Sequence, residues 1–512
     1  MPATEFLITK IIATLGPSSS DKETIKKLIE AGTRVFRINF SHGSFSDYDK
    51  LISNIRSVQK QTGIYVAMLG DLSGPKIRVG KVIDGGMQLK KGDKIKFIKN
   101  EIVGGSTGYD HAFSTTLPSF IDEARKGEKI LLDDGNIELE CIKKSGNGKD
   151  AALHCLVKSG NLLSTGKGIN LPDSNLTVPS LTDKDLKCVS YAVENGFEYL
   201  ALSFVRSGKD IKVLKKLLTD LAARPKGLGK TGGDLGFSAL FDDRYIPIIS
   251  KIEKPQAIDN LDEILEETDG VMVARGDLGV EMDLAEVAIL QKQIIKKCSE
   301  HGKPVIVATQ MLQSMINEAV PTRAEVSDVA NAIIDKTDAV MLSGETAVGK
   351  YPVESVKMMN RIAAKTNAYV KSLDNSAEKL IKYKGPLNRK AAIARGVHQM
   401  ARDMNAKFIV TWTHSGGSSV FLSQQRMEVP LIAFGENERR LRQMSVLYSI
   451  TPFYMKQPES GSKFIAEVDR ILLNNKWAEK EDPIIIVASD PITKKGITNR
   501  VVIHYVGENI DG

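Results

Sequence analysis

Cysteine is scarce in this 512-residue chain: Cys141, Cys155, Cys188 and Cys298 are too few and too scattered for a disulfide framework. None belongs to a Cys-x-x-Cys pair, which argues against a zinc site. Four isolated thiols fit a reducing compartment, so a cytoplasmic protein is the expectation. Long apolar runs are missing too. Nothing approaches the roughly 20 residues that would span a bilayer. The opening Met-Pro-Ala-Thr-Glu-Phe-Leu-Ile-Thr-Lys lacks the basic-then-apolar order of a secretory signal. No membrane partner is expected. Dense Lys/Arg tracts with interleaved aromatics are absent, so nucleic acid is not an expected partner either. The net charge of +7 is modest for the length and favours small anionic substrates at most.

What is present is a globular composition, 42% apolar and 26% charged. The length predicts roughly three domains. Strand-like runs alternate with helical patterns from the start. Ile8–Thr14, Arg34–Phe40 and Tyr65–Asp71 read as strands, with helices at Asp21–Ala31 and Asp47–Lys60. Ser20-Asp-Lys-Glu23 is a capping box, and Gly32 a stop. From about Lys76 to Asn175 the pattern changes to short alternating runs such as Lys94-Ile-Lys-Phe97, with turn signals such as Asp133-Asp-Gly135. That predicts an all-β insert. The alternation then resumes through Glu198–Val205, Ile246–Glu253, Gly270–Arg275, Pro304–Thr309 and Ala339–Ser343. Helices are predicted between them, among them Pro255–Glu267 and Asp283–Glu300. Eight strands outside the insert, each paired with a helix, predict a closed (β/α)8 barrel. The insert follows the third strand, at the end where such barrels do chemistry, and can serve as a lid.

The expected division is barrel over 1–75 and 176–372, lid over 76–175, and a C-terminal α/β domain over 385–512, after a polar linker at Ser372–Leu387. In that last domain strands are predicted at Phe408–Thr413, Pro430–Phe434, Ile484–Val487 and Val501–Val506, with helices at Ala391–Met404, Glu438–Leu447 and Lys463–Asn474. Arg224–Asp243 resists the scheme. Its Gly229-Lys-Thr231 resembles the end of a P-loop, but Arg224 stands where the first glycine belongs and no strand precedes it. A mobile surface loop is the expectation there.

The stretch Ile246-Pro-Ile-Ile-Ser-Lys-Ile-Glu253 organises the site. Lys251 and Glu253 alternate with Ile252 and so share one side of a strand. Lysine and glutamate are rarely buried without partners. A cation and a carboxylate aimed at one point suit a phosphate and a metal ion, although a structural ion pair reads the same at this level. Further strand ends carry Arg37, Asn39, Ser41 and His42; Asp71; Arg275 and Asp277; Thr309 and Gln310; Ser343 and Glu345. That gathering suits a phosphorylated anion with a divalent metal.

Seven segments carry a family resemblance. They are Lys10-Ile-Ile-Ala-Thr-Leu-Gly-Pro17, Arg37-Ile-Asn-Phe-Ser-His-Gly43, Ile249-Ser-Lys-Ile-Glu253, Val273-Ala-Arg-Gly-Asp-Leu-Gly279, Ala308-Thr-Gln-Met-Leu312, Pro321-Thr-Arg-Ala-Glu325 and Met341-Leu-Ser-Gly-Glu-Thr346. In this order, nearly end to end, the chain resembles pyruvate kinase. The resemblance implies transfer of phosphate from phosphoenolpyruvate to ADP, giving pyruvate and ATP, with Mg2+ or Mn2+. It implies Glu253 and Asp277 as metal ligands, and Lys251 and Arg37 at the moving phosphoryl group. Ala274, Arg275, Gly276 and Asp277 would form the site for the substrate carboxylate. Thr309 would assist protonation of the enolate carbon, with Ser343 and Glu345 behind it. Asn39, His42, Arg78 and Lys167 would lie near the nucleotide.

Many members carry a glutamate after the third strand and need potassium. Here Asp71-Leu-Ser-Gly-Pro-Lys76 puts a lysine in that place. Its tethered ammonium would replace the ion, leaving Asn39, Ser41, Asp71 and Leu72 as an unused potassium site. In the last domain Thr413-His-Ser-Gly-Gly-Ser418, that is Thr413, His414, Ser415, Gly416, Gly417 and Ser418, matches a loop for a phosphorylated effector, a sugar phosphate or nucleotide. Gly417 replaces the family's usual arginine. Members are commonly homotetramers. Plain structural roles compete throughout: an N-cap for Asp277, strand packing for Thr309, a solvated Lys76 and a simple turn at 413–418. Two other functions rank below this one. A dikinase domain or a lyase of the same substrate type is one, but a dikinase needs a phosphohistidine domain and none is read in this chain; a metabolite sensor would be expected to have lost Lys251, Glu253 or Asp277, and all three are present.

Overall fold

The computed structural model describes residues 6–108, 111–174, 178–223, 245–373 and 389–509. Eight parallel strands close a barrel: β1 (Lys10–Thr14), β2 (Thr33–Asn39), β3 (Ala67–Asp71), β4 (Tyr199–Leu202), β5 (Ile248–Ile252), β6 (Gly270–Ala274), β7 (Val305–Ala308) and β8 (Ala339–Leu342). Neighbours follow chain order, with β8 returning to β1. Strand period two explains the closure. Ile12, Val35, Leu69, Ile249, Met272 and Met341 fill the interior. Their neighbours Ile11, Phe36, Met68, Ile248, Val271 and Val340 belong to the separate core under the outer helices.

The insert after β3 has a six-stranded sheet, ordered Ile169–Asn170, Lys129–Leu132, Ile137–Ser145, Ala152–Ser159, Lys94–Ile98 and Ala112–Phe113. Its pairings are antiparallel except the last. Ile95 and Phe97 are buried between exposed Lys94 and Lys96, the one-sided pattern that the alternation predicted. Phe97, Phe113, Phe120 and Leu153 form its own core.

The C-terminal domain is a five-stranded sheet of β9 (Phe408–Trp412), β10 (Leu431–Gly435), β11 (Ile450–Tyr454), β12 (Pro483–Ala488) and β13 (Arg500–Tyr505), in the order β11-β10-β9-β12-β13. Only β13 is antiparallel to its neighbour. β11 lies outside the predicted strands; its Pro452 has no N–H to donate, and within a sheet such a residue belongs at an edge or a bulge. That strand is an edge, where a residue without an N–H is tolerated. A short helix, Gly417–Ser423, was also missed, since its glycine and serines are poor helix formers. The helix expected over Pro255–Glu267 is two, Pro255–Asp259 and Leu261–Glu267, parted at Asn260, whose amide donates to the Arg206 carbonyl at 2.9 Å. The helix expected from Asp283 starts at Val287, and a separate helix, Arg275–Glu281, precedes it.

The barrel interior continues through its N-terminal mouth into the last domain, where Leu422, Met444 and Leu447 join the same core. Two buried carboxylates pin this junction. Asp338 pairs with Arg426 at 2.6 Å, and Glu198 with Arg442 at 2.6 Å. Among the described residues no helix is long and apolar enough to cross a membrane. The loop at Arg224–Asp243 lies outside the described residues, as does residue 175 at the lid's end. So does most of the linker at Ser372–Leu387.

Candidate active site

The strand order alone brings β2, β3, β4, β5 and β6 side by side, and with them their C-terminal residues. Lys251 and Glu253 do face one way, with Nζ 2.8 Å from Glu253 Oε1. The same ammonium donates to Ser203 Oγ at 2.9 Å and lies 3.4 Å from Asp71 Oδ1. Arg37 reaches the other Asp71 oxygen through Nε at 2.7 Å and donates to Thr14 Oγ1 at 3.1 Å. The second Glu253 oxygen accepts the Phe204 N–H at 2.9 Å. Phe204 sits in the left-handed region, φ 55°, which is uncommon for a bulky residue and aims that N–H inward.

Charge explains the titration of this cluster. Burial would lower the Lys251 ammonium, but Asp71, Glu253 and Asp277 outweigh it and hold the group above its ordinary value. Burial would raise Asp71, but Lys251 and Arg37 keep its carboxyl below the usual range. Glu253 goes the other way. Burial raises it, Lys251 offsets only part, and the Asp277 charge adds to the rise.

Asp277 stands in the first turn of the Arg275–Glu281 helix and is one-third exposed. Lys76 crosses from the start of the lid to lie 3.7 Å from its Oδ1. Two hard carboxylates, one buried and one open, fit a magnesium or manganese ion that takes its remaining oxygens from substrate and water. Among the described residues no group of three or more His, Cys, Asp or Glu forms a fuller cage.

Beyond β6 the mouth is braced by hydrogen bonds. Thr309 is left-handed, φ 67°, a strained state for a β-branched residue. Its Oγ1 accepts the Gly276 N–H at 2.7 Å and donates to the Ala308 carbonyl at 2.6 Å. Arg275 is buried and turned away. Its Nη1 is 2.7 Å from Asp328, and its Nη2 donates to the Thr309 and Gln310 carbonyls at 2.9 and 3.2 Å. Arg275 thus shapes the Ala274–Asp277 turn from behind. Glu345 is buried and accepts the N–H groups of Leu312 and Ser343 at 3.0 and 2.7 Å. The Ser343 hydroxyl is buried without a hydrogen-bond partner among the described residues.

On the opposite side Asn39 Oδ1 accepts the Ser41 N–H at 3.0 Å, and Ser41 Oγ donates to Ser73 Oγ at 3.1 Å. Leu72 is buried and its N–H goes to Ala201. His42 is exposed, and its carbonyl accepts the Tyr48 hydroxyl at 2.6 Å. Arg78 donates to the Gly166 carbonyl at 2.9 Å and Lys167 pairs with Asp133 at 2.6 Å, so both are held within the lid. In the last domain Thr413 Oγ1 accepts the Gly416 N–H at 2.8 Å, and Gly416 is left-handed at φ 86°. Ser418 hydrogen-bonds Thr498, and His414 Nε2 lies 3.0 Å from the Ile492 carbonyl. Ser415 and Gly416 line a cavity of about 50 Å³ against Tyr199, Lys303 and Arg440.

Sequence reasoning missed Ser203 and Phe204, which hold Lys251 and Glu253. A serine at the C-terminal end of β4 was a usable signal. The backbone N–H of Phe204 was not, since it depends on a dihedral rather than on a side chain. The Pro321-Thr-Arg-Ala-Glu325 segment is a cap. Thr322 and Glu325 close a capping box, and Glu325 also fastens Ser314.

A family profile described as "Pyruvate kinase, barrel domain" matches residues 7–234 and 238–356, and "Pyruvate kinase, alpha/beta domain" matches 391–504. Pyruvate kinase from Thermococcus litoralis is 40% identical over 500 residues, covering 97% of this chain and 98% of that one. Pyruvate kinase from Corynebacterium glutamicum is 36% identical over 503 residues, covering 98% of each. A crystal structure of a pyruvate kinase from Cryptosporidium parvum superposes with a TM-score of 0.84 at 30% identity, covering 97% of this chain and 96% of that one.

Proposed function

The chain belongs to the pyruvate kinase family, and we propose that it transfers the phosphoryl group of phosphoenolpyruvate to ADP, giving pyruvate and ATP. One observation carries the reading: an ammonium held at a barrel mouth between Asp71 and Glu253, beside Arg37 and facing Asp277. The phosphoryl group in flight carries spread negative charge. Lys251 and the Arg37 guanidinium, both fixed in advance by carboxylates, can meet that charge without reorganising. The Ala274–Asp277 turn, at the start of a helix, would meet the substrate carboxylate, its Gly276 N–H being already donated to Thr309 Oγ1. Thr309 accepts the Gly276 N–H and donates its own proton to the Ala308 carbonyl, so protonation of the enolate carbon would come through water beside it. A hydroxyl is too weak an acid to act alone.

Glu253 and Asp277 would hold magnesium or manganese, which supplies charge neutralisation on phosphate oxygens. His42 from the barrel, with Arg78 and Lys167 from the lid, would line the nucleotide side. Lys76 supports a potassium-independent enzyme: its ammonium already lies on Asp277, so no mobile cation need be recruited. Asn39, Ser41, Asp71 and Leu72 would then leave a monovalent site idle. The 413–418 loop, closed by Thr413 and Ser418, supports a phosphorylated effector, and a homotetramer is the expected assembly.

The test is pyruvate release from phosphoenolpyruvate, ADP and magnesium in potassium-free buffer. Robust turnover is expected. No pyruvate with or without potassium would reject the activity, and turnover only after potassium is added would reject the role of Lys76. A saturation curve unmoved by sugar phosphates and nucleoside monophosphates would reject the effector.

A further inference from the structure

Glu281 belongs to none of the groups described so far, yet it joins three of them. It ends the Arg275–Glu281 helix and is buried. Its Oε1 accepts the Asn170 amide of the lid's return strand at 2.6 Å and the Lys254 ammonium as a short ion pair. Its Oε2 is buried without a hydrogen-bond partner among the described residues. The cost of burying this charge is therefore offset through Oε1 alone.

The position of these partners is informative. Asp277 and Glu281 are four residues apart on one helix and share a face. Glu253 and Lys254 are consecutive at the end of β5. Two rungs thus link the end of β5 to the helix after β6. One rung, Glu253 and Asp277, places like charges together, and they repel. The other, Lys254 and Glu281, places opposite charges together and draws the same two segments inward. Lys254 has a second anchor, its ammonium lying 5.8 Å from the centroid of the Phe204 ring. Phe204 is the residue whose N–H holds Glu253.

Asn170 connects the second rung to the lid. The surrounding junction is loosely filled. A cavity of about 60 Å³ lies there, lined by Lys76, Asn170, Phe204 and Lys254 among others. The Asn170–Glu281 bond crosses this junction and ties the lid's return strand to the barrel.

We propose that Glu281 is a positioning residue: through Lys254 it sets the separation of Glu253 and Asp277, and through Asn170 it links that separation to the seating of the lid. The inference rests on Glu253 and Asp277 being the metal pair. Partners behind metal ligands commonly change metal affinity by about 10- to 100-fold when removed.

Two readouts besides turnover test it on the full-length protein: Mn2+ affinity by electron paramagnetic resonance, and hydrogen exchange across residues 166–172. E281Q is expected to weaken Mn2+ by at least 10-fold and to speed exchange in that segment. K254M is expected to give the same loss, and the E281Q/K254M double variant no further loss. N170A is expected to speed exchange, raise the KM for ADP and weaken Mn2+ by less than E281Q does. Wild-type Mn2+ affinity in E281Q, or in K254M should E281Q not fold, overturns the proposal. So does unchanged exchange in N170A. E253Q is the control. If it binds Mn2+ as the wild type does, the metal assignment is wrong, a result distinct from any behaviour of Glu281.

Discussion

Replacing Lys251 with methionine keeps the side chain's length and removes its charge. In the native protein Nζ is 2.8 Å from Glu253 Oε1 and 3.4 Å from Asp71 Oδ1. At an effective dielectric of about 20 these contacts are worth roughly 6 and 5 kcal/mol before desolvation. Burying the charges cancels much of that. Removing one side of a buried pair leaves a deficit of about 3–5 kcal/mol, because the orphaned carboxylates stay inside. Arg37 remains on Asp71, and the Phe204 N–H on Glu253, so the lower end applies. The loss in rate is separate and larger. An arginine finger on a migrating phosphoryl group contributes about 10³–10⁵ in rate, and the lower end of that range is taken for the Lys251 ammonium. K251M should therefore fold, unfold in urea with roughly 3 kcal/mol less stability, and show kcat reduced by about 10³ or more. Coupling pyruvate to NADH oxidation through lactate dehydrogenase measures the rate, and a urea titration measures the fold. A folded K251M with more than a tenth of the native kcat would refute the role given to this ammonium.

T309V removes the acceptor of the Gly276 N–H and leaves that donor unpaired at a cost of about 1–3 kcal/mol. The KM for phosphoenolpyruvate should rise about 10-fold and T309S should restore it; equal KM values in the two variants would contradict this. K76E places a carboxylate beside Asp277, and activity in potassium-free buffer should fall at least 10-fold and return with added potassium. No potassium response would count against the substitution. Burial raises the Glu325 carboxyl, but hydrogen bonds from Ser314 and Thr322 outweigh it and hold it below its ordinary value. A lowered carboxyl stabilises the fold above its unfolded value, near about 4.3, and that contribution is lost as pH falls through the folded value. E325A should therefore cost about 1 kcal/mol at pH 7 by urea midpoint, with the difference shrinking towards pH 3. A difference independent of pH would show that the carboxylate is not the source.

The sequence alone determined the repeating architecture, because barrel strands buried on both sides read as apolar runs whatever their neighbours. It also determined that Lys251 and Glu253 face one way, since a strand's period of two is local. The capping box from Thr322 to Glu325 is legible within four residues, whereas the box read at Ser20–Glu23 does not form: Asp21 caps that helix and accepts the Thr24 N–H. Strand β11 was hidden because Pro452 is acceptable only at a sheet edge, and edges are assigned by the other strands. The inward Phe204 N–H, the turned-away Arg275, Lys76 on Asp277 and the Glu281 junction were decided by tertiary structure alone. Each joins segments far apart in the chain, or depends on a dihedral that no residue type prescribes, and such pairings exist only once the barrel has closed.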